Sequence, residues 1–88
     1  MVEARITTDR DRIRSWVESR GGRPARVKGT GEGGVLRIDF GEPEEGLEAL
    51  SWDEFFAVFE DRGLAFLYQE RTMSGDVSRF NKIVTKPA

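Results

Sequence analysis

The sequence predicts an α+β fold: a two-layer α-β-β-α-β-β domain in which two helices pack on one face of an antiparallel sheet. Three observations carry this expectation. Two segments repeat apolar residues at helical spacing between start and stop signals, several short runs alternate apolar with polar residues, and these segments follow one another within 88 residues. A chain of this length holds one core, so residues 1–88 are expected to form a single domain with 1–7 and 86–88 as flexible ends.

In DRDRIRSWVESR, Ile13, Trp16 and Val17 fall on one stripe of an otherwise charged helix, expected from about Asp9 to Arg20. Thr8 is the expected N-cap, with Asp11 three residues on as a weak capping box. Gly21 and Gly22 stop the helix and Pro24 prevents its continuation. The alternation that follows predicts a strand with Ala25 and Val27 inward and Arg26 and Lys28 outward. GTGEGG, residues 29–34, is a turn, and VLRIDF is a second strand with Leu36, Ile38 and Phe40 on one face and Arg37 and Asp39 on the other. Asp39 would then lie near Arg26 or Lys28.

The acidic stretch GEPEEGLEA has no clear period and reads as a loop. After it, Ser51 and Glu54 form a capping box above Trp52, Phe55, Phe56 and Phe59, the strongest helix signal in the chain, ending before Gly63. LAFLYQER reads as a central strand, TMSGDV as a turn and SRFNKIVTK as a last strand ending at Pro87. Both halves repeat the order α-β-β, but their residues do not align well enough to expect an internal repeat.

Composition narrows function by exclusion. Without cysteine or histidine there is no thiol nucleophile, no zinc-thiolate site and no imidazole for proton transfer near neutral pH. The N-terminus lacks a secretory pattern and no segment reaches the length of a membrane span, so a cytoplasmic protein without membrane contact is expected. The net charge of −2 conceals a strong asymmetry. Residues 1–30 hold eight Lys/Arg against four Asp/Glu, residues 31–61 one against ten, and residues 62–88 five against two. Such blocks either form a binding surface or neutralise one another on folding.

TTDRDRIRSWVESRGGRPARVKGT, GVLRIDF, SWDEFFAVFEDRGLAFLYQE and SRFNKIV together resemble a family of small bacterial domains, over nearly the whole chain except the acidic loop. Arg10 stands where the family's opening is expected to carry histidine. Some members carry the label 1,4-alpha-glucan branching enzyme. Such enzymes are built on a (β/α)₈ barrel of about 250 residues, which this chain cannot form, so the resemblance implies at most a role alongside glycogen metabolism.

RGGRPARVKG superficially suggests a minor-groove hook, but two glycines separate Arg20 from Arg23, and a helix end followed by a strand explains the stretch better. GTGEGGV leads into a strand rather than a helix N-terminus, so it is a turn and not a phosphate loop. Asp39 and Glu70 are the carboxylates that would serve a metal-dependent or glycosidase-like site, but nothing ties them together. The expectation is therefore a non-enzymatic binding or adaptor domain without cofactor, monomeric or weakly dimeric, recognising a protein through the open sheet face or the acidic residues 42–48. The alternative is nucleic-acid binding through Arg23, Arg26, Lys28, Arg37, Arg79 and Lys82, with Tyr68 exposed on the sheet to stack a base. A carboxylate-dependent enzyme is the third reading.

Overall fold

Both helices begin where a side chain satisfies their first free backbone groups. The computed structural model describes residues 3–31 and 34–87. Helix α1 (Arg10–Glu18) is capped by Asp9, whose carboxylate accepts from the Arg12 N–H at 3.1 Å, while Thr7 accepts from the Asp9 N–H. The cap is Asp9 rather than the expected Thr8, since a carboxylate satisfies the amide and also complements the positive helix end. Helix α2 (Trp52–Asp61) has the expected reciprocal capping box between Ser51 and Glu54. Gly21 and Gly63, just beyond the helices, have φ of 71° and 62°, the left-handed turn that reverses the chain into a strand.

Six strands surround them: β1 (Ala4–Thr7), β2 (Gly22–Val27), β3 (Leu36–Phe40), β4 (Leu47–Ala49), β5 (Leu64–Gln69) and β6 (Asn81–Thr85). All six elements of the expected order are present, and the fold is α+β. Two strands are additional, and the single expected sheet is divided into two antiparallel sheets, β1-β5-β6 and β3-β2-β4. Residues 4–7, expected to be a flexible end, pair with β5 from Ala4 opposite Gln69 to Thr7 opposite Phe66. The end of the acidic stretch pairs with β2 as β4. The last strand begins at Asn81 rather than Ser78, because Ser78 is tied to Glu70 and Gln69 in the turn. In the turn between β2 and β3, Thr30 donates to the Val27 carbonyl and accepts from the Val35 N–H, while Glu32 and Gly33 lie outside the described residues.

The topology contains a repeat that the residues conceal. β1-α1-β2-β3 and β4-α2-β5-β6 are two βαββ units, and each contributes its first strand to the other's sheet. A shift of 42 residues carries Gly22–Val27 onto Leu64–Gln69. The same shift relates Asp9 to Ser51, Ile13 to Phe55, Val17 to Phe59 and Gly21 to Gly63. Polar contacts obey it too. Arg10 donates to Glu60 at 2.6 and 2.5 Å, and Trp52, its counterpart, donates to Glu18 at 3.2 Å. Arg20 reaches the Ser78 carbonyl ahead of β6, and Arg62 the Gly34 carbonyl ahead of β3.

The helices share one side of both sheets. Ile13, Trp16, Val17, Phe55, Phe56 and Phe59 meet Leu36 of β3 and Phe66 and Tyr68 of β5 in a single core. Trp16 joins the units, with its ring edge-on to Phe40, Phe66 and Tyr68. The result is a slab 39 × 35 × 19 Å, two layers thick.

Candidate binding surface

Cross-strand partners share a face, so the ladder registers decide which side chains lie opposite the helices. In the second sheet, Gly22, Pro24 and Arg26 share the helix face with Phe40, Ile38 and Leu36, while Arg23 and Ala25 share the open face with Asp39 and Arg37. A Cβ on Gly22 would meet the Phe40 ring at 2.9 Å and Val17 at 3.0 Å, which fixes this parity and explains the second glycine of RGGRP. The expected orientation of β2 is therefore reversed. Arg26 lies on the helix side and pairs with Glu48, and Ala25 and Val27 belong to the open face. Pro24 stands at the end of the ladder with β4, where its carbonyl accepts from the Leu50 N–H at 3.1 Å and its nitrogen has no proton to return, so the pairing stops there.

The open face of that sheet is covered from within. β3 ends beside Gly22 and β4 begins beside Val27, both antiparallel to β2, so residues 41–46 must travel back along its length. A turn over 44–47 closes that return, the Leu47 N–H donating to the Glu44 carbonyl at 3.0 Å. Asp39 accepts from the Glu44 N–H at 3.2 Å, and Arg23 donates to the Gly41 carbonyl at 2.6 Å and to Asp39 at 3.4 Å. Beneath this acidic strap Ala25 is fully buried and Asp39 is only 8 % exposed. Asp39 thus partners Arg23, not Arg26 or Lys28. Replacing Asp39 by alanine frees the Glu44 amide and is expected to speed its hydrogen exchange about tenfold, with faster cleavage of 41–46 by a Glu-specific protease.

The other sheet exposes apolar side chains on its open face, around a buried Ala65. By register and alternation it carries Ile6, Ala65, Leu67, Gln69, Lys82 and Val84, extended by Phe80, whose carbonyl accepts from the Gln69 N–H, and by the bridge of Arg71 to Val77. Ile6 is 47 %, Val77 54 % and Phe80 43 % exposed. Tyr68, expected here, is on the helix side and buried against Phe66 and Trp16, because the strand's phase places Phe66 and Tyr68 together in the core. Phe80, two residues before Lys82, is the exposed aromatic; only the register of β5 against β6 assigns it to this face.

The basic residues do not form one patch. Arg23 and Arg26 are each paired with a carboxylate, and Lys28 is exposed beside the start of β4, to which only its backbone N–H is bonded, at Gly46. Arg79 lies over the Phe40 ring at 5.5 Å. Arg37 and Lys82 both line a pocket of about 290 Å³ where β3 meets β6. Three of the four ion pairs among the described residues, Arg10–Glu60, Arg23–Asp39 and Arg26–Glu48, join the basic start to the acidic middle. None involves Arg71, Arg79 or Lys82.

The hydrogen bond from Arg10 holds the Glu60 carboxyl below its ordinary range, and bonds from the Ser51 backbone and hydroxyl do the same for Glu54. Each group's support for the fold is present above the ordinary carboxylate pKa and is lost as pH falls through its lowered value.

A pocket of about 530 Å³ beside α1 is lined by Asp9, Asp11, Arg12, Ser15, Arg20 and Glu70. Its most buried cation is already committed: Arg20 donates to the carbonyls of Ser78, Glu70 and Trp16 and stacks on Trp16 at 4.3 Å. Burial lowers its pKa, but a guanidinium stays charged near neutral pH. Glu70 lines this pocket while Asp39 sits under the strap of the other sheet, so the two carboxylates do not share a site. Among the described residues no three Asp or Glu side chains are placed to hold a metal ion, and no helix is long and apolar enough to cross a membrane.

Fold and surface together define a small α+β domain of two interlocked βαββ units, one sheet face crossed by residues 41–46 and the other exposing Ile6, Val77 and Phe80. No family model, curated protein or solved structure matches the chain.

Proposed function

We propose that this protein is a non-enzymatic binding domain that takes a protein partner on the open face of β1-β5-β6. One observation carries the reading: half-exposed Ile6, Val77 and Phe80 adjoin Leu67 and Val84 on a face whose counterpart in the same molecule is covered. Exposed apolar side chains gathered on one sheet face, with cations at their edge, suit a protein interface better than isolated surface residues do.

A photo-crosslinking residue placed at Ile6 or at Phe80 in tagged protein, expressed in its native cells, tests this. The expected result is the same adduct from both positions and none from Ala57 on the exposed side of α2. Equal labelling from all three positions, or none, sinks the reading. A nucleic-acid partner has one observation in its favour, the exposed Phe80 ring on the face that also carries Lys82. Fluorescence anisotropy with single- and double-stranded oligonucleotides at low salt checks it, since phosphate contacts would make binding steeply salt-dependent.

A further inference from the structure

We infer that the open face of β1-β5-β6 binds an extended, acidic peptide segment of its partner, laid along β5 as residues 41–46 are laid along β2. This rests on reading the face as a protein-binding surface. The molecule contains its own precedent. The two sheets are related by the internal repeat, and the face of β2 already holds the Gly-Glu-Pro-Glu-Glu-Gly segment, bent at Gly41 and closed by a turn over 44–47, through Arg23 and Asp39. β5 presents the same length of strand, in the same central position, with the same helix side.

The side chains on the β5 face define how its occupant differs. Under the 42-residue shift Arg23 becomes Ala65 and Ala25 becomes Leu67. The register of the third strands turns Asp39 into Val84 and Arg37 into Lys82. The polar grip on the strap's backbone is thus replaced by aliphatic surface, so the occupant must contribute apolar side chains of its own toward Leu67, Val84 and Ile6. Alternation then points its other residues outward and along the rim. There the available charge is positive. Lys82 and Arg71 flank the strip, and neither takes part in an ion pair among the described residues, Arg71 donating to the Gly75 carbonyl. Carboxylates on the occupant would complete the charge balance that the basic start and acidic middle achieve elsewhere in the chain.

Nucleic acid fits less well. Its bases need rings to stack on, and beside the single ring of Phe80 this face offers aliphatic Ile6, Leu67 and Val84.

Selection of random displayed peptides on the folded domain, followed by anisotropy with the labelled winning peptide, tests the inference. Enriched sequences should be net negative, with apolar residues at alternate positions. Lys82→Glu should weaken the winning peptide about tenfold and Leu67→Glu should abolish detectable binding. Ala57→Glu should leave it unchanged. Circular dichroism verifies folding, and the exposed Lys82 keeps the test informative if Leu67→Glu unfolds the domain. No enrichment, or binding indifferent to both substitutions, overturns the proposal. Neutral or basic winners that remain sensitive to Leu67→Glu overturn the acidic occupant but leave the protein-binding face standing. An oligonucleotide that binds through Lys82 and Phe80, with no peptide enriched, overturns both.

Discussion

Replacement of Trp16 by alanine is expected to cost about 3–5 kcal/mol of stability. The ring is 4 % exposed, meets Phe40, Phe66 and Tyr68 edge-on, and donates from Nε1 to the Gln69 carbonyl at 2.9 Å. Its removal opens a cavity between the two units and leaves a strand carbonyl without its donor. An 88-residue domain has a total stability of roughly 4–13 kcal/mol, so the variant should be partly unfolded in water or close to it. Urea titration followed by the fluorescence of Trp52, the one tryptophan left, measures this. Trp16→Phe keeps ring packing and loses the hydrogen bond, so it should fall between the two. A loss below about 1 kcal/mol in Trp16→Ala would show that Trp16 does not join the sheets.

Arg20→Ala is expected to cost about 2–3 kcal/mol, because charge-assisted bonds to the Ser78, Glu70 and Trp16 carbonyls disappear together with stacking on the indole. Lysine has one donor head where arginine has a planar fork, so Arg20→Lys should recover less than half of the loss. Hydrogen exchange should accelerate first in residues 70–78, the turn that Arg20 ties to α1. This separates a structural arginine from a nucleic-acid contact. In the latter case Arg20→Lys would leave the fold intact and alter only binding.

The legible parts of the fold were those governed by local rules. Ser51, Glu54 and the spacing of Phe55, Phe56 and Phe59 specify α2 almost to the residue, since capping and amphipathicity act within one or two turns. Leu36, Ile38 and Phe40 were placed on the core face for the same reason. Arg26 and Ala25 were reversed because period-2 alternation states which residues share a face and not which face is inward. In β2 that choice is made by Gly22, which alone leaves room for Phe40 and Val17. Strands β1 and β4 are too short and too polar to announce themselves; each is a strand only because a central strand of the other unit accepts it. The candidate surface was half visible. An open sheet face was expected, but Tyr68 was assigned to it instead of Phe80, and the acidic stretch, correctly read as exposed loop over 41–46, was not expected to cross its own sheet or to pair with β2 at 47–49.

The sequence by itself determined the α+β class, the limits of α2, the turns, and the lack of cysteine and histidine chemistry. All of these depend on residue type and on neighbours a few positions away. Tertiary structure decided the rest. Pairing of residues far apart divided the strands into two sheets, exchanged β1 and β4 between the units, and neutralised Arg23 and Arg26 with Asp39 and Glu48. The same long-range register left Ile6, Val77 and Phe80 exposed on one face, beside cations that no ion pair among the described residues uses. Charge blocks read along a chain cannot reveal this, because Coulomb attraction acts through space and the fold alone sets which charges are near.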